Sequence, residues 1–149
     1  MELTFLDIIL FSTYFILLFL SIFWLLVLFA PEEAKKTRLQ RQPFFSAIVP
    51  AYNEEKSIQG TLQSLVNLDY PAEKMEIIVV NDGSTDKTKE IVERFMTEHP
   101  SRKIILLNQE NKGKASAMNK GLAMAKGEFF ACLDADSSVS SNALQVMLH

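Results

Sequence analysis

Residues 75–84 read Met75-Glu76-Ile77-Ile78-Val79-Val80-Asn81-Asp82-Gly83-Ser84. Met75 to Val80 is rich in β-branched side chains and almost continuously apolar, as expected of a strand buried on both faces. Asn81-Asp82-Gly83-Ser84 then reads as a turn. Outward from this stretch the pattern repeats. Before it, Phe45 to Val49 is a short apolar strand ended by Pro50, and Ile58, Leu62, Leu65 and Val66 recur at helical spacing. Asn53 is the expected cap of that helix, and Tyr70-Pro71 breaks the chain. After it, Ile91, Val92, Phe95 and Met96 form a helical stripe, Ile104 to Leu107 a third strand, Ala115, Met118, Leu122 and Ala125 a further helix, and Phe129 to Leu133 a fourth strand. The order β-α-β-α-β-α-β predicts an α/β fold with a Rossmann-like, mainly parallel sheet covered by helices on both faces.

The chain has 149 residues, room for one modest domain. Of residues 1–30, 24 are apolar, against 48 of the remaining 119. Two objects therefore meet near Pro31. From Ile8 to Ala30 no charge interrupts 23 residues, 17 of them Leu, Ile, Phe or Val. As a helix this run rises about 34 Å, which matches a hydrocarbon core of about 30 Å. Its side chains favour insertion by roughly 5–10 kcal/mol. A cleaved signal peptide is a poor alternative, because the start is acidic and the apolar run too long. The expected division is a transmembrane anchor over 1–30, a charged juxtamembrane linker over 31–42 and an α/β part over 43–149. Lys35, Lys36, Arg38 and Arg41 follow the span, so the positive-inside rule places the C-terminal part in the cytoplasm of a membrane-anchored protein with one span in this chain.

Beyond residue 30 the chain carries fifteen basic and sixteen acidic residues, a balance that argues against nucleic acid as a partner. The single cysteine, Cys132, lies in an apolar run and reads as a buried, reduced thiol.

In parallel α/β sheets ligands sit beyond the carboxyl ends of the strands. The four strands end on Pro50-Ala51-Tyr52-Asn53-Glu54-Glu55, Asp82-Gly83-Ser84, Asn111-Lys112-Gly113-Lys114 and Asp134-Ala135-Asp136, so polar and acidic groups collect on one rim. Asp134 and Asp136, two apart at a strand end, point the same way if the strand persists. Such paired carboxylates suit Mg²⁺ or Mn²⁺, with substrate phosphates completing the coordination. Asp82 has two readings: an acceptor for a nucleobase ring N–H, or a turn residue capping the following helix with Ser84 or Thr85. Lys114 opens a helix beside Gly113, where a cation and free N–H groups suit a diphosphate; as a bland alternative it is a solvated lysine.

Several other chemistries are disfavoured. Gly113-Lys114 is followed by Ala115, so no P-loop exists, and no G-x-G-x-x-G follows the first strand. No G-x-S-x-G elbow is present, and ligands for zinc are lacking.

Val49-Pro50-Ala51-Tyr52-Asn53-Glu54-Glu55, Val80-Asn81-Asp82-Gly83-Ser84-Thr85-Asp86, Asn111-Lys112-Gly113-Lys114-Ala115 with Asn119, and Leu133-Asp134-Ala135-Asp136-Ser137 resemble, in order and spacing, the family 2 glycosyltransferases of GT-A fold. The resemblance runs from about Phe44 to His149. It implies metal-dependent, inverting transfer of a sugar from a nucleoside-diphosphate sugar, a UDP-sugar by family habit, to a polysaccharide or lipid-linked acceptor. By motif matching, Pro50, Tyr52 and Glu54 line the nucleoside pocket, Asp82 meets the base, Lys114 approaches base or diphosphate, Asp134 lies near ribose and metal, and Asp136 holds the metal. The general base such a transfer needs is expected beyond His149, so this chain is read as the donor-binding, N-terminal part of such an enzyme. The alternative is a membrane-tethered module that binds a nucleotide sugar without transferring it.

Overall fold

The computed structural model describes residues 4–28 and 42–147. They fall in two compact units. The expected linker over 31–42, its basic cluster and His149 lie outside the described residues, apart from Gln42.

The first unit is helix α1, Phe5–Leu28. Its start is fixed locally. The Thr4 hydroxyl donates to the Asp7 carboxylate at 2.6 Å and the Thr4 amide donates to the same oxygen at 2.9 Å, so Asp7 satisfies the chain just before the first turn. Thr13 and Ser21 return their hydroxyls to the carbonyls of Ile9 and Leu17, which hides two polar groups inside the helix. Phe5–Val27 has a mean hydropathy of 2.4 and none of it is buried, so by length and composition the helix is able to cross a membrane.

The second unit alternates as expected: β1 Phe45–Ala51, α2 Ile58–Val66, a short 3-10 turn at Ala72–Lys74, β2 Met75–Asp82, α3 Thr88–Glu98, β3 Lys103–Gln109, α4 Lys114–Met124, β4 Phe129–Cys132 and α5 Ala143–Met147. The sheet order is β3-β2-β1-β4 and every pairing is parallel. Strand succession therefore reverses at β1, which places the ends of β1 and β4 side by side at the switch point.

Alternation along β1 and β2 sorts the apolar side chains onto two faces. On one, Val49, Ile77 and Val79 pack with Ile58 and Leu62 of α2 and Val92 and Phe95 of α3. On the other, Ile78 and Val80 meet Ala117 of α4. Helix α4 lies close to the sheet because Gly121 has no side chain; a Cβ there would come within 2.5 Å of Ile48 Cγ2.

Three local expectations are corrected. β1 does not end at Pro50 but runs to Ala51. β4 pairs with β1 only as far as Ile48, so the missing N–H of Pro50 falls where no ladder demands it. Asn53 does not cap α2. Ser57 precedes that helix, while Asn53 adopts a left-handed φ of 54° and turns its amide to the neighbouring loop. Cys132 is exposed, not buried, because it sits at the end of β4, where Phe129 and Phe130 are exposed as well. Partial desolvation of the sulfur raises its thiol pKa, nearby Asp134 adds to this, and Lys114 opposes it.

At the opposite end of the sheet from the rim, Glu76 is fully buried. Its carboxylate accepts from Ser46 Oγ at 2.8 Å and Lys126 N at 2.7 Å and pairs with Lys103 Nζ at 2.6 Å. Burial alone would raise this carboxyl; the lysine and the donors more than offset it and leave it below the usual range. This pins the α4–β4 connection to β1 and β2, since Gly127 N also donates to Ser46 Oγ at 2.9 Å.

Candidate functional site

The chain leaves β1 at Tyr52 and is at once tied to the loop after β2. Asn53 N donates to Ser84 Oγ at 3.0 Å, and Asn53 Oδ1 accepts from Thr85 N at 2.8 Å. Glu54 N donates to Thr88 Oγ1 at 2.8 Å, Glu55 N to Asp86 Oδ2 at 3.0 Å, and Lys87 N to Glu55 Oε2 at 3.1 Å. Two loops thirty residues apart in sequence are thereby sewn into one wall. Tyr52 is left exposed beside this wall.

Asp82 ends β2 and is 3% exposed. Its Oδ1 accepts from Gln109 Nε2 at 2.7 Å and Lys112 N at 2.9 Å, and its Oδ2 from Gly113 N at 2.8 Å. The reading of Asp82 as a cap for the following helix is thus corrected: it holds the loop before α4 instead, and the start of α3 is served by Asp86, which accepts from Thr88 N at 3.0 Å. Burial alone would raise the Asp82 carboxyl; the three donors outweigh it and hold it below the ordinary value. Gly83 allows this packing. Its φ is 74° and a Cβ there would lie 2.7 Å from Asn111 N.

Beyond β4 the strand does not persist, yet Asp134 and Asp136 still border the same cleft while Ala135 between them is buried. The turn is set by Ser137 N donating to Asp134 O at 3.0 Å and by buried Thr61 Oγ1 donating to Ala135 O at 2.7 Å. Lys114, first residue of α4, crosses to Asp134 Oδ1 at 2.6 Å. That contact, with Asp136 adding, raises the lysine pKa. Both partners are more than half exposed, so the pair is well screened.

The result is one open cleft of about 480 Å³ lined by Pro50, Tyr52, Glu54, Asp82, Lys114, Asp134 and Asp136 together. All seven residues singled out from the sequence border it. Sequence reasoning placed Asn111 and Asn53 at the rim without giving either a role in the site, and passed over Thr88 and Gln109; Asn111 lines the cleft, and Asn53, Thr88 and Gln109 hold its walls. The signal for Asn53 was its local cap chemistry, but its real partners lie over thirty residues away. Among the described residues no group of three or more His, Cys, Asp or Glu side chains gathers to hold a metal. Of the four carboxylates that line the cleft, Asp134 and Asp136 are the exposed pair beyond β4, so a hard cation held by them needs water or phosphate oxygens for the rest of its shell.

Residues 46–149 match the model of glycosyl transferase family 2. The chain belongs to that family. Poly-β-1,6-N-acetyl-D-glucosamine synthase of Staphylococcus epidermidis is 36% identical over 136 residues, 85% of this chain and 32% of the synthase. Among solved structures, the mannosyltransferase PcManGT of Pyrobaculum calidifontis in complex with GDP-Man and Mn²⁺ superimposes with a TM-score of 0.69 at 36% identity, over 71% of this chain and 31% of that one. S. aureus TarS 1–349 in complex with UDP-GlcNAc does so with a TM-score of 0.64 at 35% identity, over 70% and 30%. The family 2 chain described here spans about a third of the length of the curated relatives it matches.

Proposed function

We propose that the cleft binds a nucleoside-diphosphate sugar, with a UDP-sugar the favoured donor, and that the protein transfers its sugar with inversion to a polysaccharide or lipid-linked acceptor. The observation that carries this reading is the convergence of Tyr52, Asp82, Lys114, Asp134 and Asp136 on one cleft at the switch point of a family 2 fold. Pro50, Tyr52 and Glu54 line the nucleoside end, Asp82 meets the base, and Lys114 meets the diphosphate. Asp134 serves the ribose and, with Asp136, holds Mg²⁺ or Mn²⁺. The donor set fits: two exposed carboxylates with a lysine beside them leave coordination positions for phosphate oxygens. Bound there, the cation supplies Lewis-acid neutralisation of charge on the departing diphosphate. In the same reading, residues 1–30 anchor the chain in the cell membrane, 31–42 link, and 43–149 form the sugar-nucleotide-binding part on the cytoplasmic side.

Asp136→Ala is expected to abolish Mn²⁺-dependent binding of a UDP-sugar to the purified chain; unchanged affinity in calorimetry refutes the metal assignment. Release of UDP from the sugar nucleotide only when an acceptor glycan is added supports transfer. Metal-dependent binding with no release under any acceptor instead favours a module that binds without transferring.

A further inference from the structure

We propose that Asp82 is a positioning residue for Lys114: its carboxylate fixes the backbone of Lys112 and Gly113, and through them the start of α4 from which Lys114 enters the cleft. The inference rests on the nucleotide-binding reading and adds a coupling to it.

A helix start leaves backbone N–H groups without intrahelical partners. Here Gly113, the residue before α4, has a φ of 87°, and its own loop offers it only a long contact, from Gly113 N to Asn111 Oδ1 at 3.3 Å, against 2.8 Å to Asp82 Oδ2. Its N–H and that of Lys112 are taken by the two oxygens of a carboxylate that arrives from β2, thirty residues earlier. Gln109 fixes the carboxylate in turn, and the loop rests directly against the backbone of Gly83. The body of α4 is held separately, by fully buried Ala117 and by the contact of Gly121 with Ile48. The sheet therefore sets how close α4 lies, and Asp82 sets where its first turn begins. Lys114 is the first residue of that turn.

A carboxylate has about four acceptor positions, and three are occupied by these N–H groups. One remains on Oδ2 for a ligand N–H. The same side chain that meets the base thus also places the cation for the diphosphate. An asparagine at position 82 breaks this arrangement, because its amide nitrogen would face a backbone or side-chain donor where an acceptor is required.

The test compares uridine with UDP, both in the presence of Mn²⁺, by calorimetry on the full chain in detergent micelles. Asp82→Asn is expected to weaken UDP about tenfold more than it weakens uridine, the scale of one charge-assisted contact. In a Lys114→Ala background that excess is expected to vanish. Equal losses for the two ligands, or an excess that persists without Lys114, overturn the proposal. Should Asp82→Asn fail to fold, amide hydrogen exchange on the unaltered chain decides: slow exchange at Lys112 and Gly113 supports the anchoring, and exchange at unprotected rates overturns it. An unaltered chain that binds neither uridine nor UDP overturns the nucleotide reading, while the exchange rates still judge the hold of Asp82 on its loop.

Discussion

The two sides of the cleft are built differently. On the β1–β2 side the loops are joined by side chain to backbone hydrogen bonds from Asn53, Asp86 and Thr88 and stand on a core that includes Leu62, Val79 and Phe95. On the β4 side, Asp136 is exposed, Asp134 is held by an exposed lysine, and Phe129 and Phe130 of the strand beneath are exposed. The comparison teaches that the wall assigned to the nucleoside is preorganised, whereas the carboxylates assigned to the cation keep most of their hydration. That division suits the two tasks: a flat base with fixed hydrogen-bonding edges gains from a rigid slot, and carboxylates that await a hydrated cation are better left in water than buried as an unpaired, repelling couple.

The largest expected effect that sharpens this contrast is in the core. Leu62→Ala, at a fully buried position, is expected to cost about 2–5 kcal/mol in chemical denaturation. A loss below about 1 kcal/mol would mean that the β1–β2 side is not the rigid half.

Acid is the next lever. Glu76, Asp82 and Asp86 are all held below the ordinary carboxyl value in the folded chain. A depressed folded-state pKa contributes stability that is present above the unfolded value, about 4, and is lost as pH falls through the folded one. The chain is therefore expected to hold its melting temperature down to about pH 5 and to lose it progressively below about pH 4. In an Asp82→Asn chain the loss should be shallower; an identical acid profile would show that this carboxylate is not stabilised by its three donors.

Single loop stitches come third. Thr88→Val keeps the shape of a fully buried side chain but leaves Glu54 N without its acceptor, at an expected cost of about 1–3 kcal/mol measured by denaturant unfolding. The smallest effect belongs to the open side. Cys132→Ser is expected to change stability by no more than about 0.5 kcal/mol, and Cys132 in the native chain should react with a thiol reagent without denaturant. A thiol that reacts only after unfolding would erase the contrast between the two sides.

Much of this was legible from local pattern. The strands around Ile48, Ile78 and Ile105 are apolar runs of strand length, and α2, α3 and α4 carry helical stripes, because side-chain periodicity is a property of neighbouring residues. The rim residues were legible for the same reason: each lies at the carboxyl end of a strand or within a few residues beyond it. What was not legible depends on partners distant in sequence. Asn53 looked like a helix cap because its short amide suits one, yet its acceptor is used by Thr85 across the rim. Cys132 looked buried because its neighbours are apolar, yet burial depends on what packs over β4.

The amino-acid sequence by itself determined the succession of strands and helices, the apolar N-terminal helix, and which polar residues stand at the strand ends, since periodicity, turn chemistry and hydrophobic length act over a few residues. Only the tertiary structure decided the strand order β3-β2-β1-β4, the closure of Tyr52, Asp82, Lys114, Asp134 and Asp136 around one cleft, and the use of Asp82 by a loop thirty residues away. The physical reason is that a buried carboxylate must find its donors wherever the fold brings them, and no local rule says which peptide groups those will be.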